Sequence, residues 1–260
     1  MPPTLLVVDP DDAVAATRDH PLVAHLTAYP TAELPIWRYG DAVAVGYHYW
    51  DHPTIAAHGS PPDVATLVRA IGESVRSWIS VPADVVPLLP TGFLLDMHDW
   101  EFRWTARPTG TRPDAAAWLG PDDEDDVREL LAAGFPDASV GPGSPRARRW
   151  AGIRDGDGRL VGCAADATGR DGTGFVASIT TRPDLRGGGI GRTITGWLTD
   201  RLVAEHGRAA LWVFTGNDPA RAVYDRLSMH ELTLTAGALP AAHDLVGGSG
   251  DESAAAVPAD

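Results

Sequence analysis

The tightest constraint in this chain lies between residues 174 and 206. A β-branched stretch with Val176, Ile179, Thr180 and Thr181 passes through Pro183-Asp184 into Arg186-Gly187-Gly188-Gly189-Ile190-Gly191 and then into a segment of helical period. Ile190, Ile194, Trp197, Leu198 and Leu202 fall on one helical face, so the spacing predicts a helix over 190–206 lying on a sheet. Three consecutive glycines between strand and helix leave the backbone bare of Cβ atoms, so that phosphate oxygens can approach it. The first N–H groups of such a helix have no intrahelical acceptor, and the aligned peptide dipoles place partial positive charge beside them. Strand, glycine loop and helix together make a cradle for an anion such as a phosphate group.

Two familiar cradles are excluded by the residues around this one. A nucleotide-triphosphate loop needs Gly-Lys-Ser/Thr, and the chain contains no lysine. A dinucleotide-binding loop needs Gly-x-Gly-x-x-Gly after the first strand of a parallel unit, a spacing that Gly187-Gly188-Gly189-Ile190-Gly191-Arg192 does not satisfy.

Periodicity and turn residues outline the rest. Thr4 to Val8 reads as a strand and Asp11 to Tyr29 as helix broken at Pro21. Trp37 to Asp41 reads as a strand ending in a turn, followed by a returning strand through Val43, Val45, Tyr47 and Tyr49. The stripe Val64, Leu67, Val68, Ile71, Val75 and Trp78 predicts a helix over 62–79, and 93–104 a strand. Ala106 to Pro113 has linker composition. A short strand is expected at 115–119 and a helix at 121–133 whose acidic first turn, Asp122 to Asp126, suits the macrodipole. An antiparallel meander at 149–154, 160–166 and 174–181 follows, then the helix from Ile190, a strand over 209–215, a helix over 219–227 and a last strand at 231–235. The expected domains are 1–105, a smaller αβ domain; 106–114, a linker; 115–246, the domain carrying the cradle; and 247–260, a disordered tail.

From Ile179 to Met229 the chain resembles the GCN5-related N-acetyltransferases, the GNAT family. Thr181-Arg182-Pro183-Asp184-Leu185-Arg186-Gly187-Gly188-Gly189-Ile190-Gly191 is similar to the family's pyrophosphate-binding segment. Asn217-Asp218-Pro219-Ala220 with Tyr224-Asp225-Arg226-Leu227 is similar to its second cofactor segment. The resemblance implies the GNAT fold, a mixed and mostly antiparallel sheet flanked by helices, in the α+β or α/β class. It implies transfer of an acetyl group from acetyl-coenzyme A to a primary amine of a small molecule or peptide, without a metal. Backbone groups of Ile179, Thr180 and Thr181 would hold the pantetheine arm. The backbone of Arg186, Gly187, Gly188, Gly189, Ile190, Gly191 and Arg192 would hold the pyrophosphate. Asn217 would contact the cofactor's arm, and Tyr224 would lie near the sulfur as the catalytic acid, although Ala220, Val223, Tyr224 and Leu227 share a face that also fits a core. Ser228-Met229 departs from the family's usual Gly-Phe. By the same resemblance the first domain is expected to be a degenerate copy, since it lacks both cofactor segments. A silent coenzyme A-binding module on the same scaffold is the alternative function.

Charge and composition narrow the partners. A net charge of −14 disfavours nucleic acid, whose phosphates need clustered cations, and tilts the acceptor towards cationic amines. The single Cys163 sits in the apolar run 160–165 and is expected to be a buried strand residue. His48, His52 and His58 share no regular face that would make a metal site. The N-terminus has no basic stretch leading into an apolar one, and no apolar run has bilayer length. A cytoplasmic protein is expected, with no membrane partner and with a homodimer allowed. For the general base, Asp166 and Ser178 lie on strands beside the expected cleft, while Glu205 and His206 stand at the far end of the helix.

Overall fold

A computed structural model describes residues 3–29, 34–49, 52–72, 75, 77–169 and 172–239, with the side chains of residues 48, 49, 52 and 53 excepted. The expected tail at 247–260 and the His48 and His52 side chains lie outside that description. The chain divides into two compact units, residues 1–102 with 232–260, and residues 103–231.

In the first unit β1 (Leu6–Val8) leads to α1 (Pro10–Ala16) and α2 (Pro21–Thr27). Asp9 starts α1 by accepting the Asp12 N–H at 2.8 Å, and both helices open on a proline, whose missing N–H costs nothing there. β2 (Ile36–Tyr39), β3 (Ala42–Tyr49), β4 (His52–His58), α3 (Pro61–Gly72) and β5 (Trp78–Pro82) follow. The strands lie in sequence order, antiparallel except for parallel β4 and β5, which α3 connects. Leu67, Val68 and Ile71 of α3 meet Ile55, Ile79 and Val81 of the sheet in the core. The helix expected to reach residue 79 is described as far as Gly72, and by Trp78 the chain is in β5. Val75 and Trp78 continue its period, but Ile79 and Val81 alternate inward as strand residues of β5, which satisfies the backbone of a β-branched segment better than more helix. β6 (Leu95–Thr105) runs from this unit into the second.

The second unit contains β7 (Ala117–Trp118), α4 (Glu124–Gly134), β8 (Arg149–Arg154), β9 (Leu160–Asp166), β10 (Gly174–Thr181), α5 (Ile190–His206), β11 (Ala209–Phe214) and α6 (Asp218–Arg226). The chain then enters β12 (His230–Ala238). β7 to β10 form an antiparallel meander, and β11 joins β10 in parallel through α5. Both units therefore use one plan: antiparallel strands, then a neighbouring strand reached in parallel by a helix. The acidic start of α4 is held by its own surroundings. The Gly120 N–H donates to Asp123 at 2.7 Å, and Arg154 pairs with Asp123 and Asp126.

The segment at 106–114 is bound rather than free. Asp200 on α5 accepts the N–H groups of Thr109 and Thr111, and the Trp197 indole donates to the Pro113 carbonyl at 2.8 Å. Among the described residues no helix is long and apolar enough to cross a membrane.

Candidate acyl-donor site

The site begins where β10 parts from β11. Their parallel ladder holds Gly174 to Ala209 and Phe175 to Ala210, although both strands continue for several residues. Beyond Phe175 the β10 edge on that side is available to another extended chain, as at any open strand edge. On its other side β10 pairs with β9 through a bulge, since Ala177 faces Ala165 while Thr180 faces Cys163. Ser178 is the extra residue, at φ 50°, and its hydroxyl donates to the Val140 carbonyl at 2.6 Å. A bulge re-aims the strand beyond it, and the three residues beyond it are Ile179, Thr180 and Thr181.

After Thr181 a 3₁₀ turn at Pro183–Leu185 leads into the glycines. Gly187 and Gly189 stand at φ 80° and 86°, the left-handed region that side chains other than glycine occupy only at a cost. A Cβ on either would meet no atom within 4 Å, so both face open space that a phosphate could enter. The Thr193 N–H is bonded to the Gly189 carbonyl at 3.0 Å, leaving the N–H groups of Ile190, Gly191 and Arg192 ahead of the helical ladder. α5 is pressed on the sheet: a Cβ on Gly162 of β9 would come within 2.5 Å of the Ile190 side chain. The Arg186 guanidinium turns away and donates to the Gly134 carbonyl at the end of α4 at 2.8 Å, which leaves its backbone in the loop. The loop thus presents an open side and the N–H groups of a helix start, with their partial positive charge, to whatever lies beyond it.

Asn217 is the N-cap of α6, its side-chain oxygen accepting the Ala220 N–H at 3.1 Å. The carboxamide's NH₂ is a separate donor, on an exposed residue. Tyr224 is 5% exposed and packs with Val176, Ile194, Leu211 and Val213, so it shares a core cluster with β10, α5 and β11. Burial pushes its phenol well above the usual tyrosine value, and the Arg103 guanidinium opposes that shift. A phenol so placed stays protonated through neutral pH.

Three of the four residues weighed as bases are committed elsewhere, while the fourth, His206, has a buried Nε2 with no hydrogen-bond partner. Asp166 is fully buried, accepts from Thr168, and pairs with Arg149 at 3.0 Å. Ser178 is bonded to Val140, and Glu205 pairs with Arg149. The Nε2 of His206 is 4.0 Å from Glu205. Cys163 is buried, and burial pushes its thiol up to about 12, which keeps it from acting as a thiolate. Among the described residues no three His, Cys, Asp or Glu side chains gather as a metal site.

A sequence profile described as "Acetyltransferase (GNAT) family" matches residues 98–229, just over half of the chain. The protein is a member of the GNAT acetyltransferase family. Among solved structures, a GNAT-family protein from Novosphingobium aromaticivorans aligns with 22% identity and a TM-score of 0.53, covering 84% of this chain and 97% of its own. A GCN5-related N-acetyltransferase from Kribbella flavida aligns with 17% identity and a TM-score of 0.56, covering 90% and 96%. Another from Sphaerobacter thermophilus has 15% identity and a TM-score of 0.52, covering 91% and 96%. At these identities the likeness concerns the fold. No curated protein matches by sequence. The GNAT fold carries a general acyltransferase role.

One residue near Tyr224 escaped the sequence analysis. Arg103 is 2% exposed, and its guanidinium binds Asp225 of α6 and Glu231 of β12, each at 2.8 Å. The signal was present in β6, where Asp99, Glu101, Arg103 and Thr105 alternate with Trp100, Phe102 and Trp104. That is a strand with one polar face, which a count of aromatics alone hides.

Proposed function

We propose that this GNAT protein moves an acetyl group from acetyl-coenzyme A to a primary amine of a small molecule or peptide, by direct attack in a ternary complex. The observation that carries the proposal is continuity: the open edge of β10 runs directly into the glycine cradle at the start of α5. Acetyl-coenzyme A supplies a thioester activated toward amines. The backbone of Ile179 to Thr181 holds its arm, the loop from Arg186 to Arg192 holds its pyrophosphate, and the Asn217 carboxamide donates to the arm. The Tyr224 hydroxyl, kept protonated by burial, gives its proton to the departing thiolate and regains one, by way of water, from the nitrogen that has become acylated, a role worth about a hundredfold or more in rate. No side chain is assigned as base. An ammonium acceptor, with a pKa near 10.4, gives up its proton to water before attack.

The test is a thermal-shift and calorimetric titration with acetyl-, propionyl- and free coenzyme A, followed by thiol release with a panel of amines. Acetyl-coenzyme A should bind, and Gly189→Val, which forces a β-branched residue to φ 86°, should weaken binding at least tenfold. With a good acceptor the rate should rise with pH, and its inflection should follow the acceptor's own pKa as the amine is changed. An inflection fixed across amines would point to a protein base and overturn the water route. The full set of interactions around Asp166, Ser178 and Glu205 also supports the second function, a silent coenzyme A-binding module. Binding without thiol release from any amine would favour it.

A further inference from the structure

In the first unit, the position equivalent to the acyl-donor cradle is the junction of β4 and α3, because both units reach their parallel strand through a helix from the fourth strand of the same plan. In the second unit residues 182–189 separate β10 from α5, whereas only Gly59 and Ser60 separate β4 from α3. We infer that the first unit has closed its own anion position with an internal carboxylate, that of Asp41, so that the whole chain binds one coenzyme A and never two. The inference rests on the proposal that the second unit is a coenzyme A site.

The closure is built from the turn between β2 and β3. Asp41 Oδ1 accepts the Ser60 N–H at 3.0 Å and the Ser60 hydroxyl at 2.8 Å. The Ser60 carbonyl in turn accepts the Val64 N–H at 2.9 Å, making Ser60 the start of α3. A second carboxylate stands beside the first: Asp63 Oδ2, in the first turn of α3, accepts the Asp41 N–H at 3.2 Å. These are the contacts a phosphate oxygen would seek at a helix start, and they are already made by groups carrying the phosphate's own sign.

Space is closed as well as charge. A Cβ on Gly59 would come within 2.5 Å of the Ala42 Cα, and one on Gly40 within 2.0 Å of Asp63 Oδ2. By contrast, a Cβ on Gly187 or Gly189 meets nothing within 4 Å. Hydrogen bonds from Ser60 hold the Asp41 carboxyl below the usual carboxylate range, with Arg18 adding to the effect, so the plug is charged at neutral pH.

Hydrogen exchange read by mass spectrometry on the full chain, with acetyl-coenzyme A and separately with inorganic pyrophosphate, tests this together with calorimetric stoichiometry. One molecule per chain should bind, protecting peptides over 179–192 and leaving those over 56–64 unchanged. Protection at 56–64, or a stoichiometry of two, overturns the inference. A ligand-free comparison separates the plug from the cofactor proposal. Asp41→Ala should raise exchange at the Ser60 amide several-fold, and Asp41→Asn, which keeps an acceptor, should raise it less. Unchanged exchange in both variants, with the fold intact by circular dichroism, overturns the plug even if acetyl-coenzyme A binds nowhere, an outcome that would defeat the transferase proposal instead.

Discussion

Ser228 occupies φ 54°, a left-handed position at which serine is strained and glycine is not. The end of α6 is nonetheless a complete Schellman turn: the Met229 N–H reaches the Tyr224 carbonyl at 3.2 Å and the Ser228 N–H the Asp225 carbonyl at 2.9 Å. Ser228→Gly should therefore stabilise the protein, the relief of strain exceeding the added freedom of the unfolded chain by about 0.5–1 kcal/mol. A rise in denaturation midpoint would show it, and a fall would mean that the serine side chain has a partner worth more than the strain. Arg103 behaves differently because its partners are unlike it in exposure, at 63% for Asp225 and 55% for Glu231. Replacing both acids with Asn and Gln takes two counter-charges from a buried guanidinium and should cost about 3 kcal/mol or more. Arg103→Met leaves two carboxylates that water can solvate and should cost less. The reverse order in chemical denaturation would show that the exposed acids, not the buried cation, depend on the pair.

At the scale of elements, β4 and α2 share a titrating contact. The ring of His58, the last residue of β4, stacks on that of His20 with centroids 3.8 Å apart, and His20 caps α2 by accepting the Leu22 N–H at 3.3 Å. Burial lowers the His58 pKa below its usual 6.5, with Asp41 opposing, and its Nδ1 has no hydrogen-bond partner. A base whose folded pKa is depressed binds its proton more readily when unfolded, so stability is full above about 6.5 and falls as pH drops through that value. Melting temperature should decline between pH 7 and 5.5, and His58→Phe should flatten the decline; an unchanged slope would move the sensitivity to another histidine. The elements that carried a local signal were legible in the sequence. β10, the glycine loop, α5 and the break at Pro21 announce themselves through period, proline and glycine within a few residues. β4 and β5 did not, because Val75 and Trp78 extend the helical stripe of α3 and only the long-range pairing of Ile55 with Ile79 decides for strand. With those strands hidden, the expectation of a degenerate copy rested on the family resemblance alone, since the repeated plan resides in pairing sense rather than in shared residues. The plug at Asp41 lay equally out of reach, because it joins a turn to a helix start nineteen positions away.

At the scale of the molecule, domain boundaries drawn along the chain miss an exchange. The first unit takes back the end of the polypeptide: Leu234 to Ala238 of β12 pair antiparallel with Trp78 to Pro82 of β5. Leu239 lies in the core with Leu67 and Ile71, its N–H on the Ser77 carbonyl at 3.2 Å. A fragment cut at the apparent linker, residues 115–246, would carry β12 without β5 and α6 without Arg103. A fragment 1–231 would leave β5 without β12 and the core without Leu234 and Leu239, each fully buried. Loss of two buried leucines costs about 2–5 kcal/mol apiece, against a total stability of about 5–15 kcal/mol for a domain, and an uncovered apolar strand edge adds a route to aggregation. Both fragments should therefore fail to give a monodisperse, cooperatively melting species, while mixing separately refolded 1–231 with a synthetic 232–239 peptide should restore part of the melting temperature. If 1–231 melts cooperatively at the full chain's temperature without the peptide, the last strand is an ornament of the first unit and the exchange has no part in its stability.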